Sequence, residues 1–440
     1  MSNTKWLRRA LLGGVALSVM ATGAQADELS ALKAQLEALQ SRVNSLEAAP
    51  APAALPEGYS YMTYGRGAGS NNDWGNEALV DRVNQSEDRG FTIAVTPTAD
   101  LPAPVAEVTV YGYVKGDVIY AFQDNNFAVS TAWSSVQTAN TTDHITITAK
   151  QSRFGIKSKV DTAIGQIRTR IEGDFEGNNP YGALNNDTFR MRHAYGEWDM
   201  TENLTLIIGQ TWRVASLLPL GISTVDFAGS AGWTYSRDPQ VKIRYTNGPL
   251  TVHLGIEEPL ARTISNLPVF GGSIQYDVPG GHQLAISGAI GEDDSFAAGD
   301  DTSWVVQGGA NFNVADMATL TGAVVYGEGS VVGRYTLSPF ALFTGGSSNE
   351  VFGAMAGVSF PVTDTTTFNV VWDYLNGDGA AHGGAVGHDE LHTVHANIMW
   401  QPVKQMRMGW EVLYLWADDQ GTTALEDEYL QVQWGTWFFF

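Results

Sequence analysis

Leu430-Gln431-Val432-Gln433-Trp434-Gly435-Thr436-Trp437-Phe438-Phe439-Phe440 closes the chain, and its reading decides the fold. The even positions Leu430, Val432, Trp434, Phe438 and Phe440 are apolar, with Thr436 the one interruption, and Gln431, Gln433 and Gly435 fall between them. Period two defines a β-strand with two unlike faces. An uncovered strand ending in four aromatics invites edge pairing and aggregation in water. In a closed barrel in lipid the same strand pairs with the first one, turns one face to hydrocarbon and supplies the interfacial aromatic girdle.

Working backward, the same alternation holds from Ala106 to the end in sixteen stretches: 107–122, 143–160, 164–176, 187–199, 203–212, 239–246, 249–257, 270–278, 283–291, 302–314, 317–327, 350–361, 365–375, 391–401, 405–416 and 427–440. The connections after even strands are tight, as at Asp161-Thr162-Ala163, Asn247-Gly248, Ala315-Asp316 and Pro402-Val403-Lys404, whereas those after odd strands run to about ten or twenty-five residues. An even strand count with short turns at one rim and long loops at the other is the pattern of an outer-membrane barrel, and Asn-Gly is a strong hairpin signal. A soluble antiparallel sandwich has no reason to segregate its loops this way.

The N-terminus agrees with export. Lys5, Arg8 and Arg9 precede the apolar run Ala10 to Ala21, and Ala24-Gln25-Ala26 has the form of a cleavage site, so residues 1–26 read as a signal peptide. No later stretch approaches the roughly 20 apolar residues of a membrane helix, although 44% of the chain is hydrophobic. Residues 27–47 carry Leu29, Leu32, Leu36, Leu39, Val43 and Leu46 at spacings of three and four, a heptad seam. Three heptads are marginal alone, so this helix is expected to need an oligomer; packing on its own domain is the competing reading. Residues 48–105 open with an Ala/Pro-rich spacer and continue as a linker with one strand near Phe91 to Val95; residues 106–440 are the barrel.

Without cysteine, disulfides, thiolate metal sites and Cys nucleophiles are excluded. The formal charge of −22 argues against nucleic acid as a partner. The only histidine cluster, His388, His392 and His395, straddles a loop and a strand with His392 and His395 on opposite faces, which does not make a metal site. No Gly-x-Ser-x-Gly occurs. Gly65-Arg66-Gly67-Ala68-Gly69 lacks the strand and helix that a phosphate loop requires. Neither a cofactor nor a resident metal is expected.

The chemistry lies on the inward face. In residues 166–176 the charges Arg168, Arg170, Glu172, Asp174 and Glu176 are all even, opposite Ile167, Ile171 and Phe175. An Arg on the lipid face at mid-depth costs about 2–4 kcal/mol, so the charges must face the lumen. Arg153 and Lys157, Arg190 and Arg192, and Lys242 and Arg244 continue the row on neighbouring strands. Twelve of the 22 basic residues after position 26 lie between Lys150 and Arg244. An anion-attracting ladder is one reading, and mutual pairing with Glu172, Asp174 and Glu176 is the other. The connection 213–238 is long and holds Leu217, Leu218, Leu220, Ile222, Phe227 and Trp233, so it is expected to fold inward and narrow the pore, bringing Asp226, Ser230, Tyr235, Arg237 or Asp238 near the ladder; packing on a neighbouring subunit is the alternative. The remaining acids, in loops around Glu292 to Asp301 and Asp418 to Glu428, are expected to sit outside, away from the ladder, mostly as solvated loops.

Tyr111-Gly112-Tyr113-Val114-Lys115-Gly116-Asp117, Ser152-Arg153-Phe154-Gly155-Ile156-Lys157, Phe189 to Trp198, Gly209-Gln210-Thr211-Trp212 and terminal Phe440 resemble Gram-negative trimeric porins, and with the heptads the chain is most similar to the DcaP-like porins. The resemblance implies a homotrimer of sixteen-stranded barrels with periplasmic N-terminal helices, passing small anions such as dicarboxylates. It also implies Arg168, Arg170, Arg190, Arg192 and Arg213 at the constriction, with outer-membrane lipid, lipopolysaccharide and the barrel-assembly machinery, met through Trp434, Phe438 and Phe440, as partners. Lumenal Glu172 and Asp174 count against strict anion selectivity. An envelope-tethering barrel and a non-selective porin are the rival functions.

Overall fold

In the computed structural model the described residues are 60–66, 91–97, 106–122, 143–177, 188–216, 222–226, 236–259, 267–292, 302–315, 317–329, 331, 350–378, 388–419 and 428–440. The signal peptide, the heptad helix and its spacer, and the acidic stretches 293–301 and 420–427 lie outside them. Contacts divide the chain into two units, Met1–Ser60 with Thr98–Pro102 and Tyr61–Pro97 with Ala103–Phe440. The second carries the barrel.

Nineteen strand segments follow in order: β1 (Ser60–Arg66), β2 (Phe91–Pro97), β3 (Ala106–Phe122), β4 (His144–Thr148), β5 (Arg153–Thr162), β6 (Gly165–Gly177), β7 (Thr188–Asp199), β8 (Leu204–Trp212), β9 (Arg237–Asn247), β10 (Leu250–Glu257), β11 (Val269–Val278), β12 (His282–Glu292), β13 (Thr302–Val314), β14 (Ala318–Glu328), β15 (Glu350–Thr363), β16 (Thr366–Asp378), β17 (His388–Val403), β18 (Met406–Asp419) and β19 (Glu428–Phe439). β4 pairs with the second half of β3 and β5 with the first half, so these two are one barrel strand interrupted by a turn at 149–152. Counted so, β3 to β19 form a closed antiparallel barrel of sixteen strands. No helical element occurs among the described residues.

Closure is made by the residues that opened the sequence reading. Leu430 to Phe439 of β19 pair with Phe122 to Tyr113 of β3, and the Phe440 N–H donates to the Gly112 carbonyl at 3.1 Å. A Cβ on Gly112 would meet the Arg153 carbonyl and, at 2.8 Å, the Phe440 ring, so this position suits glycine. β3 outruns β19 at that rim, and β2 takes the vacated edge, pairing Phe91 to Val95 with Val110 to Ala106. The strand near Phe91 is therefore real and two residues longer than expected. β1 was not legible in the weakly patterned linker.

The tight turns gather at this rim. Asn247 pairs with Leu250, leaving Gly248 at φ 55°, the left-handed region where glycine costs nothing. Thr162 pairs with Gly165, Thr363 with Thr366 and Val403 with Met406.

The two faces separate sharply. Ile147, Ile171, Ile208, Leu254, Val324 and Trp410 stand exposed around the outside, an apolar band that only hydrocarbon can cover without cost. Leu254 is 63% exposed on β10. Leu254→Arg should lower unfolding stability in lipid by about 2–4 kcal/mol, read from urea titration of the folded barrel, whereas a change below 0.5 kcal/mol would place Leu254 outside the lipid belt.

Candidate pore wall and its inward connection

Alternation alone brings Arg153 and Lys157 of β5, Arg168, Arg170, Glu172 and Asp174 of β6, Arg190 and Arg192 of β7, and Lys242 and Arg244 of β9 to one inner wall. All except Arg190 are buried. They do not stand bare; they cover one another, as the pairing reading expects. Glu172 is the hub. Its Oε1 lies 2.8 Å from Arg192 Nε and 3.4 Å from Arg153 Nε, and its Oε2 lies 2.6 Å from Arg170 Nη2. The Tyr111 hydroxyl donates to Oε2 at 2.8 Å and accepts from Arg170 Nε at 2.7 Å. Tyr111 reaches them across β5 because Gly155 has no side chain: a Cβ there would strike the tyrosine ring. Asp174 holds Arg190 at 2.7 Å and Arg192 at 3.2 Å.

A second group lies nearer the tight-turn rim. Arg168 contacts Glu197 at 2.7 Å and Asp199 at 2.6 Å, and Arg244 reaches Glu197 at 3.2 Å. Toward the long-loop rim, Arg213 pairs with Asp238 and with Glu257, the latter at 3.3 Å. Arg237 takes a different partner: its guanidinium lies 4.5 Å over the Trp212 ring, a cation–π contact. Both readings of the row are thus partly realised. Carboxylates do pair with the ladder, but β5, β6, β7 and β9 carry ten cations against seven acids, of which Glu172, Asp174 and Glu197 are fully buried.

Glu197 escaped the alternation for a physical reason. A β-bulge at Arg192 and His193 places both side chains inward and shifts the parity of β7, so His193, Tyr195 and Glu197 face the lumen. A carboxylate on the lipid face between Gly196 and Trp198 was the available clue. Asp199 and Glu257 were not foreseen as partners of the ladder either, whereas Asp238 stands beside it as expected. Tyr111, Lys115 and Asp117 on the inward face of β3 and Glu411 on that of β18 were likewise missed.

Three pieces of the connection 213–238 are described, 213–216, 222–226 and 236–238, and the first two are buried against inner walls. The Val214 N–H donates to Glu257 Oε1 at 2.5 Å. The Ala215 carbonyl accepts from Ser287 Oγ at 2.6 Å and from Gln307 Nε2, and Ile222 packs on Ala323, Met355 and Val371. Asp226 is held at β18 and β19, where its N–H donates to Glu411 Oε1 at 2.9 Å and its Oδ2 lies 3.4 Å from Gln431 Nε2, not among the arginines of β6 and β7. The wall beyond the connection is polar and hydrogen-bonding, built largely from uncharged Ser287, Gln307, Asn311, Thr321, Asn369 and Asn397, with Asp373 and Glu411 as buried acids among them.

A closed sixteen-stranded barrel, apolar outside and charged inside, with a connection docked on its inner wall, has the outer-membrane porin fold. Residues 76–251, which contain β2 to β9 and the charges these strands carry, match the model of the DcaP outer membrane protein family. The structure is similar to the outer membrane channel DcaP of Acinetobacter baumannii at 22% identity and TM-score 0.64, covering 76% of this chain and 97% of that one. It is also similar to an anion-selective porin from Comamonas acidovorans (15% identity, TM-score 0.53, 76% of this chain and 100% of that one) and to the outer-membrane protein OmpT of Vibrio cholerae (13%, 0.53, 77% and 99%). No curated protein sequence matches the chain.

Proposed function

We propose that the protein is a passive outer-membrane channel that favours small anions such as dicarboxylates. The excess of cations over carboxylates on β5 to β9, ten against seven, carries this reading: a solute entering from the long-loop side meets a net positive field in a site walled by low-dielectric protein. The connection 213–238 narrows the passage opposite that wall, and the solute leaves down its gradient without bond chemistry, cofactor or resident metal. The anion-selective Comamonas porin of the same fold is consistent with this. A trimer, stabilised by heptads 27–47 on the periplasmic side after signal cleavage, completes the proposal; a trimeric form is known for the OmpT relative.

Single-channel recording across a salt gradient tests it. The expected result is an ohmic open state whose reversal potential has the sign of chloride preference, closing in three equal steps. Cation preference sinks the ladder reading. No conductance at all would favour the tethering barrel, which also predicts loss of envelope attachment when residues 27–47 are removed.

A further inference from the structure

The connection that crosses the barrel ends its described course in a cradle that nothing above explains. Glu411, on the inward face of β18, is buried, and its two oxygens receive four groups. The Val225 N–H donates to Oε2 at 2.8 Å and the Asp226 N–H to Oε1 at 2.9 Å. Asn397 Nδ2 donates to Oε2 at 2.9 Å, and His395 Nδ1 lies 3.2 Å from Oε1. Two consecutive backbone amides aimed at one point form a small anion-binding concavity.

The rest of the tip is fitted as closely. Lys115 Nζ donates to the Val225 carbonyl at 2.6 Å, and Asn397 Nδ2 also donates to the Ser223 carbonyl at 2.8 Å. The Val225 side chain enters a socket left by two wall glycines: a Cβ would come within 2.5 Å of Val225 Cγ2 on Gly409 and 2.8 Å of Cγ1 on Gly435. Ile222 occupies the matching gap over Gly357. Shape alone could seat two aliphatic side chains. It gives no reason for a buried carboxylate, whose desolvation is costly unless its acceptor sites are filled.

We propose that the tip Val225-Asp226 is a carboxylate-binding site occupied by the chain's own Glu411, and that Glu411 is the positioning residue that holds the connection across the pore. Glu411 touches no solute path residue of the charged wall; it acts through the loop. This rests on the reading of 213–238 as the element that narrows the channel, so the primary test does not depend on conduction.

Hydrogen exchange is followed by mass spectrometry in a peptide spanning Ile222–Asp226 of the full-length protein in detergent, with heat-modifiable migration as the check that the barrel is closed. In Glu411→Ala this peptide should exchange at least about tenfold faster than in the wild type, since charge-assisted bonds to both amides are lost. Sodium formate should slow it again, because formate supplies the missing carboxylate, while sodium chloride at equal ionic strength should not. Gly409→Ala, which pushes Val225 outward but keeps Glu411, should exchange faster without responding to formate. Wild-type exchange in Glu411→Ala overturns the proposal. So does fast exchange that formate and chloride affect alike, or a formate response in Gly409→Ala equal to that in Glu411→Ala. If Glu411→Ala fails to close, the isosteric Glu411→Gln, which keeps one acceptor oxygen, should show the same acceleration in smaller degree, and wild-type exchange there overturns the proposal equally. A wild-type protein that passes no current sinks the channel reading alone.

Discussion

Replacing Arg168 and Arg170 together by alanine is expected to move the reversal potential toward cations by tens of millivolts in a tenfold salt gradient, where perfect selectivity for a monovalent ion corresponds to roughly 59 mV. The geometry makes this a clean experiment. Removing Arg170 leaves Glu172 with Arg153, Arg192 and the Tyr111 hydroxyl; removing Arg168 leaves Glu197 with Arg244. No buried carboxylate is stranded, so the loss that makes broken ion pairs so destabilising is avoided. The wall nevertheless loses two positive charges while its acids stay in place. A reversal potential unchanged within a few millivolts would mean that selectivity is set elsewhere, with Arg213 and Arg237 the next positions to test.

How far the sequence foretells this wall depends on what period two can and cannot carry. Arg153, Lys157, Arg168, Arg170, Lys242 and Arg244 alternate with Phe154, Ile156, Ile171, Val241, Ile243 and Tyr245, and every one of those cations is buried on the inner side while those apolar partners are exposed. The solvent on each side enforces the rule, since a one-residue slip would carry a guanidinium into hydrocarbon. The rule fails where the backbone itself slips. The bulge at Arg192 and His193 reverses parity within a single strand, and nothing in the residue pattern before it announces the change. Pairing partners are hidden for another reason. Which arginine meets which acid depends on strand register, as in the opposition of Arg168 to Glu197 and of Lys157 to Arg170, and register follows from turn lengths that a rough boundary does not fix. Glu411 shows the third limit. In the barrel as a whole it is one inward polar residue among many, and only the arrival of Val225 and Asp226, nearly two hundred positions earlier, gives it a role.

Glu172→Gln is the variant expected to move stability and selectivity in opposite directions. The carboxylate is fully buried and is the shared acceptor of Arg153, Arg170 and Arg192. Glutamine keeps the shape and one acceptor oxygen, but it removes the negative charge that three guanidiniums converge on and turns an amide donor toward at least one of them. Breaking a buried ion pair from one side costs about 3–5 kcal/mol, because the remaining charge is left uncompensated. Here the remaining charges are three, although the Asp174 carboxylate still holds Arg192 at 3.2 Å and Tyr111 still accepts from Arg170. The urea midpoint should therefore fall, with the unfolding free energy lowered by an amount in that range. Selectivity should rise, because the wall gains one net positive charge facing the pore: the reversal potential should move toward the chloride limit while that of Arg168→Ala with Arg170→Ala moves away from it. The opposed pair separates two functions of the acids on this wall. If they serve only to neutralise the ladder, Glu172→Gln raises anion preference at no cost in stability. If they hold the guanidiniums in place, as three arginines gathered on one carboxylate imply, the gain comes with a destabilised barrel, and a urea midpoint equal to the wild type would refute that structural role.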